Sequence, residues 1–250
     1  MPLGAKRAIS SIAIRCNHSF SVWAYNAVHS PLQAEDRYLE KFAHIEDIHR
    51  RIFAAMLAQL DDSVGRVLSK IEKTGLTEST LVIFLSDNGG PTKELTSSNA
   101  PLRGGKGSLW EGGIRMPFLM QWPGRLPAGN VVKDPIISTD IATMTRALAE
   151  AGSEKKPGDG IDLLPYLTSE TIALPERSFY WSMGKRATPR RGGWKIERNP
   201  GRDASPEWAL HDLTRDIAEE RDVSGDHAGV LKELVEEREK LDAQMVAPAW

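Results

Sequence analysis

The pattern of apolar and polar positions divides the chain into a small number of regular elements. Residues 81–85 form an uninterrupted apolar run with the length and branching of a buried strand. Between about residues 45 and 73, apolar side chains recur every three or four positions, which predicts one long helix that ends at Gly75. Further strands are predicted at residues 20–25 and 116–122, and a shorter helix at residues 140–151.

The pattern changes beyond residues 155–160, a segment of lysine, proline and glycine that is typical of a linker. Short strands are predicted at residues 177–183 and 194–198, with glycine- and arginine-rich turns between them. Residues 230–245 have the spacing of an amphipathic terminal helix. This order of elements predicts a small antiparallel sheet covered by a helix.

Composition and charge exclude several classes of protein. The chain has 250 residues, 40% of them hydrophobic, so it can bury a core and is not expected to be disordered over its whole length. Its 32 basic and 34 acidic residues give a net charge of −2, which does not favour binding to nucleic acid or to an anionic membrane. No window approaches the roughly 20 apolar residues of a membrane span. Cys16 is the only cysteine, so an internal disulfide is impossible.

Asp87 and Asn88 follow the first apolar run directly, in a turn that ends with Gly89 and Gly90. In open α/β sheets, ligands bind at the carboxyl ends of the strands. A carboxylate and an amide oxygen suit a hard cation such as Ca²⁺ or Mg²⁺, but both residue types are also typical of an ordinary β-turn. The residues alone therefore give a candidate metal site and leave both interpretations open.

Two further residues are candidates for binding an oxyanion or moving a proton. Lys106 stands among closely spaced glycines, which let the backbone approach a small ligand, although lysine is also a common residue of exposed loops. The stretch is not a phosphate-binding P-loop, because Ala100 and Gly107 break that motif. His29 lies in a predicted loop before Pro31, where an imidazole can donate a proton or simply form polar surface.

Taken in order, several of these motifs resemble the C-terminal part of type I sulfatases, which are members of the alkaline-phosphatase-like superfamily. The resemblance extends over about residues 20–245. Its most specific parts are residues 26–34, 60–65, 86–90 and 100–117. It implies an α/β fold, a partial alkaline-phosphatase-like α/β sandwich with a small C-terminal antiparallel sheet and helix.

The resemblance also implies a division of the chain into three parts. Residues 1–17 are expected to be a leader outside the family pattern. Residues 18–170 are expected to form the C-terminal part of the sulfatase α/β domain. Residues 171–250 are expected to form an antiparallel subdomain with the terminal helix.

Each candidate residue has a role implied by the resemblance. Asp87 and Asn88 match the pair that binds Ca²⁺ in these enzymes. Lys106 matches the lysine that contacts the sulfate group, and His29 matches the histidine near the leaving oxygen, so both are implied to be catalytic and sulfate-binding. Cations can hold a sulfate and offset its developing charge, while the leaving oxygen needs a proton.

One part of the family pattern is interpreted as missing. Type I sulfatases carry Cys- or Ser-x-Pro/Ala-x-Arg near the N-terminus, and its first residue becomes the formylglycine nucleophile. We interpret this chain as lacking that motif, the acidic Ca²⁺ ligands, and the lysine and histidine that accompany the nucleophile. The chain is therefore expected to be a fragment, inactive alone, whose N-terminal half is missing.

The compartment is left open by the sequence. Relatives are commonly periplasmic, extracellular or lysosomal, so export is an expectation of the resemblance. Residues 1–20 imitate a signal peptide only weakly, because the apolar part is short and interrupted by serine, and no small-residue cleavage site follows.

Three hypotheses on function remain. The first is a sulfuric ester hydrolase acting on a sulfated sugar or aryl compound, present here as a truncated chain. The second is a non-catalytic binding module, or a subunit that complements a separate N-terminal half. The third is a phosphoester hydrolase of the same superfamily. The expected partners are a sulfate-ester small molecule or sulfated saccharide and the missing half, without nucleic acid or a membrane span.

Overall fold

The computed structural model describes residues 19–92, 96–149, 159–170, 173–184, 186–198 and 208–246. The predicted leader at residues 1–17 and Cys16 lie outside these ranges, as does most of the predicted linker at residues 155–160. None of the helices within the ranges is long and apolar enough to cross a membrane.

Two helices begin the described chain, α1 (Asp36–Lys41) and α2 (Ile48–Lys73). The Asp47 side chain accepts a hydrogen bond of 2.7 Å from the backbone N–H of Arg50 and so caps α2. Helix α2 is followed by Gly75 with a φ of 71°. The long predicted helix is therefore confirmed, although it begins three residues later than expected, whereas α1 was not predicted.

Strand β1 (Val82–Leu85) pairs antiparallel with strand β2 (Phe118–Gln121), as the runs at residues 81–85 and 116–122 predict. The prediction that residues 81–85 are buried is wrong for this chain, because Phe84 and Leu85 are each 40% exposed. In the part of the chain that the structure describes, β1 has a neighbouring strand on one side only. Its other edge is unpaired in this part of the chain, and the last two residues of the strand are exposed.

The strand predicted at residues 20–25 is also wrong. These residues follow an irregular path, and Phe20, Val22 and Trp23 are about half exposed. β-Branched and aromatic residues favour a strand only where a neighbouring strand supplies hydrogen bonds and a packed face. Within the described ranges, no strand pairs with this segment.

Helix α4 (Ser138–Leu148) follows the short helix α3 (Glu111–Ile114) and confirms the helix predicted near residues 140–151. Its buried Asp140 accepts two hydrogen bonds of 2.6 Å from the guanidinium of Arg177 and others from the N–H groups of Ile137 and Ile161. Burial alone would raise the pKa of Asp140, but these hydrogen bonds outweigh it and leave the pKa below its usual value. The Asp140 carboxylate therefore connects α4 to Arg177, the last residue before the C-terminal sheet.

The C-terminal region is a four-stranded antiparallel sheet in the order β3-β4-β5-β6. Its strands are β3 (Ser178–Met183), β4 (Arg186–Arg191), β5 (Trp194–Glu197) and β6 (Ala209–Asp212). The short helix α5 (Leu164–Leu167) precedes the sheet, and α6 (Ala228–Asp242) follows it. The predicted antiparallel sheet with a terminal helix is confirmed, whereas β4 and β6 were not predicted as strands.

The two faces of this sheet differ sharply in chemistry. On one face, Ile196 and Leu210 pack against Leu234 of α6, and all three are completely buried. Because side chains alternate along a strand, Lys195 and Glu197 point to the opposite face. Lys195 is paired in register with His211, and all three polar side chains are buried. This polar face packs against the loop that carries Lys106.

Candidate active site

Lys106 stands at the tip of a tight turn between Gly105 and Ser108. The N–H of Ser108 donates to the carbonyl of Gly105 over 3.0 Å, and the Ser108 hydroxyl donates to the same oxygen over 2.8 Å. Gly107 occupies the third position with a φ of 81°, the left-handed value that a type II turn requires there. The turn therefore presents the exposed Lys106 side chain outward from a rigid base.

The ammonium of Lys106 meets the imidazole of His29, 77 positions away in the sequence. The distance between Lys106 Nζ and His29 Nε2 is 2.7 Å. On the other side of the ring, His29 Nδ1 lies 2.8 Å from the carbonyl oxygen of Ser30. A carbonyl oxygen can only accept, so Nδ1 carries the hydrogen and Nε2 offers its lone pair to Lys106. The two predicted catalytic residues are thus brought together with one tautomer defined.

Asp87 and Asn88 lie in the turn after β1, as the sequence predicts. The Asn88 amide nitrogen donates to the carbonyl of Gly89 over 3.0 Å, which leaves its Oδ1 as the oxygen available to a ligand. The Ser86 hydroxyl donates to the carbonyl of Asn88 over 2.9 Å and closes the turn. Asp87 is exposed.

The Asp87–Asn88 turn is joined directly to the Lys106 loop through its two glycines. The N–H of Lys106 donates to the carbonyl of Gly90 over 3.2 Å, and the N–H of Gly89 donates to the carbonyl of Gly113 over 3.0 Å. A side chain at Gly89 would collide with the carbonyl of Gly112. All four predicted site residues therefore belong to one connected assembly, in which the backbones of turn and loop are in contact.

The C-terminal sheet supports the Lys106 loop from behind. Arg186, the first residue of β4, donates from Nη1 to the carbonyl of Gly107 over 2.7 Å. Arg103 donates from Nη1 to the carbonyl of Glu219 over 2.8 Å, and its guanidinium stacks on the Trp110 ring at 3.8 Å. Gly107 is thus held by the first residue of β4, and Arg103, at the start of the loop, is held by the segment after β6.

A buried cluster of charges anchors the end of this loop. Lys195 Nζ lies 3.1 Å from Glu111 Oε1 and 2.7 Å from Glu219 Oε1. The backbone N–H of Glu111 donates to Glu219 Oε2 over 2.6 Å, and Arg190 Nη1 lies 3.3 Å from Glu111 Oε2. Lys195, Glu111 and Glu219 are each at most 1% exposed. Removing one member would leave an uncompensated buried charge, so the cluster strongly favours a single docking geometry for the loop.

Two groups beside this cluster have polar atoms without a hydrogen-bond partner among the described residues. They are both carboxylate oxygens of Glu197 and Nε2 of His211. Burial raises the pKa of Glu197 to about 7, although Lys195 acts in the opposite direction. Burial also lowers the pKa of His211, whose Nδ1 lies 2.9 Å from the carbonyl oxygen of Arg221.

The amino-acid sequence matches a known protein family. The sequence model of the Sulfatase family matches residues 10–151, more than half of the chain. The chain belongs to the sulfatase family. The match begins inside the 1–17 segment and contains His29, Asp87, Asn88 and Lys106.

Individual sulfatases align over large parts of this chain. Arylsulfatase J of Mus musculus is 42% identical over 156 residues, which are 62% of this chain and 25% of the mouse protein. N-acetylgalactosamine-6-sulfatase of Canis lupus familiaris is 35% identical over 169 residues, covering 66% of this chain and 31% of the dog protein. The matched part is thus less than a third of each relative.

Solved structures agree with this assignment. A crystal structure of Ps i-CgsB in complex with k-i-k-neocarrahexaose aligns with a TM-score of 0.82 and 32% identity, covering 91% of this chain and 51% of that chain. PsFucS1 sulfatase from Pseudoalteromonas sp. aligns with a TM-score of 0.66 and 26% identity, covering 77% and 42%. The predicted partial alkaline-phosphatase-like α/β fold is confirmed, and the sulfatase chain spans about half the length of these solved relatives.

The interpretation that a nucleophile motif is missing needs one correction. Residues 11–15 are Ser-Ile-Ala-Ile-Arg, which satisfies the spacing Ser-x-Ala-x-Arg. Ser11 precedes His29 by only 18 positions, and the five residues lie outside the described part of the chain. We assign them no role.

Asp87 and Asn88 supply only part of what a Ca²⁺ site requires. A carboxylate and an amide oxygen are suitable for Ca²⁺, but the ion takes six to eight oxygen ligands. Among the described residues, no group of three or more His, Cys, Asp or Glu side chains could hold a metal ion. Asp87 and Asn88 therefore fit one side of a calcium site, as donors of the correct kind in insufficient number.

Stability should depend on pH through Glu197. Its folded pKa of about 7 lies above the ordinary value of 4.5, so between these pH values the unfolded chain releases a proton that the folded chain keeps. The free energy of unfolding should consequently fall as pH rises from about 4.5 to 7 and then level off. Glu197→Gln should flatten this slope and stabilise the chain at pH 8 by about 1–3 kcal/mol.

Urea unfolding between pH 5 and 8 measures this effect. Glu176→Gln, which removes an exposed carboxylate, is the matched control and should leave the slope unchanged. Parallel pH profiles for the wild-type chain and Glu197→Gln would show that Glu197 does not titrate in this window.

Proposed function

We propose that this chain forms the sulfate-binding part of an active site that hydrolyses sulfate esters. In this proposal Lys106 binds sulfate oxygens, and His29 passes a proton from the Lys106 ammonium to the leaving oxygen. The observation that carries the proposal is the 2.7 Å contact between Lys106 Nζ and His29 Nε2. The loop that bears Lys106 is also hydrogen-bonded to the Asp87–Asn88 turn. Family membership supports the reaction class, but the chain matches only part of each relative.

The charge arrangement favours an anion with several oxygen atoms, such as a sulfate group, at this position. The Lys106 ammonium is a compact positive charge with three donors, and His29 already accepts one of them. When a sulfate group approaches, the other donors can bind its oxygens without any movement of the loop. His29 then lies next to the bound group. Its Nε2 carries no hydrogen, so it first takes a proton from the Lys106 ammonium and then passes that proton to the departing alkoxide or phenoxide.

Ca²⁺ is part of the proposal. Asp87 and Asn88 Oδ1 would hold one side of the ion, which would neutralise the negative charge on the sulfate oxygens. Further carboxylate ligands would come from outside the described residues. The nucleophile that attacks sulfur is likewise not among the residues placed here.

We further propose that the substrate is a sulfated saccharide. Ps i-CgsB, 32% identical to this chain, was solved with k-i-k-neocarrahexaose, and N-acetylgalactosamine-6-sulfatase is a relative at 35% identity. Both names concern sugar ligands or substrates. An aryl sulfate remains a suitable reporter, because the proposed roles concern the sulfate and the leaving oxygen.

The activity test uses a hybrid enzyme in which this chain replaces the aligned half of Ps i-CgsB. We expect it to hydrolyse a chromogenic aryl sulfate, and Lys106→Ala or His29→Ala to lower kcat/KM by roughly 10²–10⁴-fold because each removes a group that acts on the transition state. Lys73→Ala and His49→Ala remove the same residue types from exposed positions of α2 and serve as controls.

Two results would contradict the proposal. One is turnover that survives both active-site substitutions, or that falls equally in the Lys73 and His49 controls. The other is a preference for the matching phosphate ester over the sulfate ester, which would favour the phosphoesterase hypothesis.

Ca²⁺ binding can be measured on the chain itself by calorimetry. Because only part of the ligand shell is present, we expect a dissociation constant above about 1 mM for the chain and much tighter binding by the hybrid. Asp87→Asn should weaken binding by the hybrid, whereas Asp61→Asn, at an exposed position of α2, should not. Micromolar binding by the isolated chain would indicate a complete site elsewhere in the chain.

A further inference from the structure

We infer that Asn99 is a positioning residue that fixes Lys106 relative to the Asp87–Asn88 turn by holding Gly90 and Gly104 together. The inference rests on the proposed function only in treating Lys106 and the Asp87–Asn88 turn as parts of an active site. The hydrogen bonds themselves can be tested without any catalytic assay.

The Asn99 side chain forms a clip between two main-chain segments. Its Oδ1 accepts from the N–H of Gly90 over 3.0 Å, and its Nδ2 donates to the carbonyl of Gly90 over 2.9 Å. The same Nδ2 donates to the carbonyl of Gly104 over 3.0 Å. One amide thus saturates both polar groups of Gly90 and connects them to the start of the Lys106 turn.

The carbonyl of Gly90 is shared between the clip and the loop. It accepts from Asn99 Nδ2 and also from the backbone N–H of Lys106, over 3.2 Å. A side chain at Gly105 would collide with this same oxygen. The loop can therefore approach the turn only in this register, and Asn99 supplies the donor that the two facing carbonyls need.

Only a side-chain amide has both functions required here. Gly90 N–H needs an acceptor, while the carbonyls of Gly90 and Gly104 need a donor, and an amide carries both at one branch point. Asp has the same shape but would direct a second oxygen at two carbonyl oxygens. An asparagine in a loop often bonds backbone groups within two residues of itself, whereas the partners of Asn99 lie nine positions earlier, at Gly90, and five positions later, at Gly104.

The direct test is amide hydrogen exchange on the full chain, comparing wild type with Asn99→Ala and the isosteric Asn99→Asp. Asn99→Ala removes the acceptor of the Gly90 N–H, whereas in Asn99→Asp repulsion between the second carboxylate oxygen and the two carbonyls should displace the side chain. Both variants should therefore lose about tenfold or more of the protection at Gly90, and at Lys106, whose N–H donates to the Gly90 carbonyl that the clip holds. Protection at Leu213, which donates to Gly193 in the C-terminal sheet region, should stay the same.

Ser98→Ala is the matched control. Its hydroxyl accepts from the N–H of Ala100 within the same segment and does not contact Gly90 or Gly104 in the described structure. Uniform loss of protection, including at Leu213, would show that Asn99 acts only on global stability. Unchanged protection at Gly90 and Lys106 would show that the clip does not exist in solution, and either result would overturn the inference.

Kinetics of the hybrid enzyme separate this inference from the proposed function. Misplacing Lys106 should lower kcat by about 10–100-fold in Asn99→Asp with a smaller change in KM, whereas Ser98→Ala should match wild type. Full activity in Asn99→Asp would overturn the positioning role even if exchange changes. An inactive hybrid would count against the proposed function alone, because the exchange result still decides whether the clip exists.

Discussion

The close approach of two main-chain segments, at Gly90 and at Gly104–Gly105, is the constraint on which the rest of the site depends. It converts separate sequence motifs into one assembly, since Lys106 donates through its backbone to the turn that carries Asp87 and Asn88. Glycine permits the approach because a side chain at Gly105 would meet the Gly90 carbonyl. With the backbones locked, the Lys106 ammonium lies at hydrogen-bond distance from His29.

The C-terminal sheet gives this assembly a rigid support. Its apolar face is occupied by α6, and its polar face presents Lys195 to Glu111 and Glu219. Such a charge cluster gains little net stability, because removing its charges from water offsets most of their mutual attraction. Its directional contacts nevertheless select one docking geometry. The C-terminal sheet, which carries no predicted catalytic residue, thereby holds the Lys106 loop in place. Glu197 lies buried beside the cluster, and its burial raises the pKa of this carboxyl to about 7.

Sequence patterns predicted the elements that depend on local information. The 3.6-residue period of α2, the apolar runs of β1 and β2, and the residues of the turn and loop are legible in any short window. The interpretation of residues 20–25 failed because a strand needs a partner that the window does not contain. Lys195 and Glu197 alternate with Trp194 and Ile196, a pattern typical of a solvent-facing strand, yet a loop about 85 positions earlier covers that face. Asn99 was missed because its partners lie nine positions earlier and five positions later, beyond the turn that a short motif describes.

Lys106 and His29 meet in the folded chain with a defined tautomer of the imidazole, and nitrogen NMR of the histidine rings can detect this contact. For neutral His29, we expect a protonated Nδ1 and an unprotonated Nε2 whose resonance shifts in Lys106→Met, while His44 is unaffected. A hydrogen on Nε2, or a His29 ring that does not respond to loss of the Lys106 ammonium, would show that the contact does not form as described.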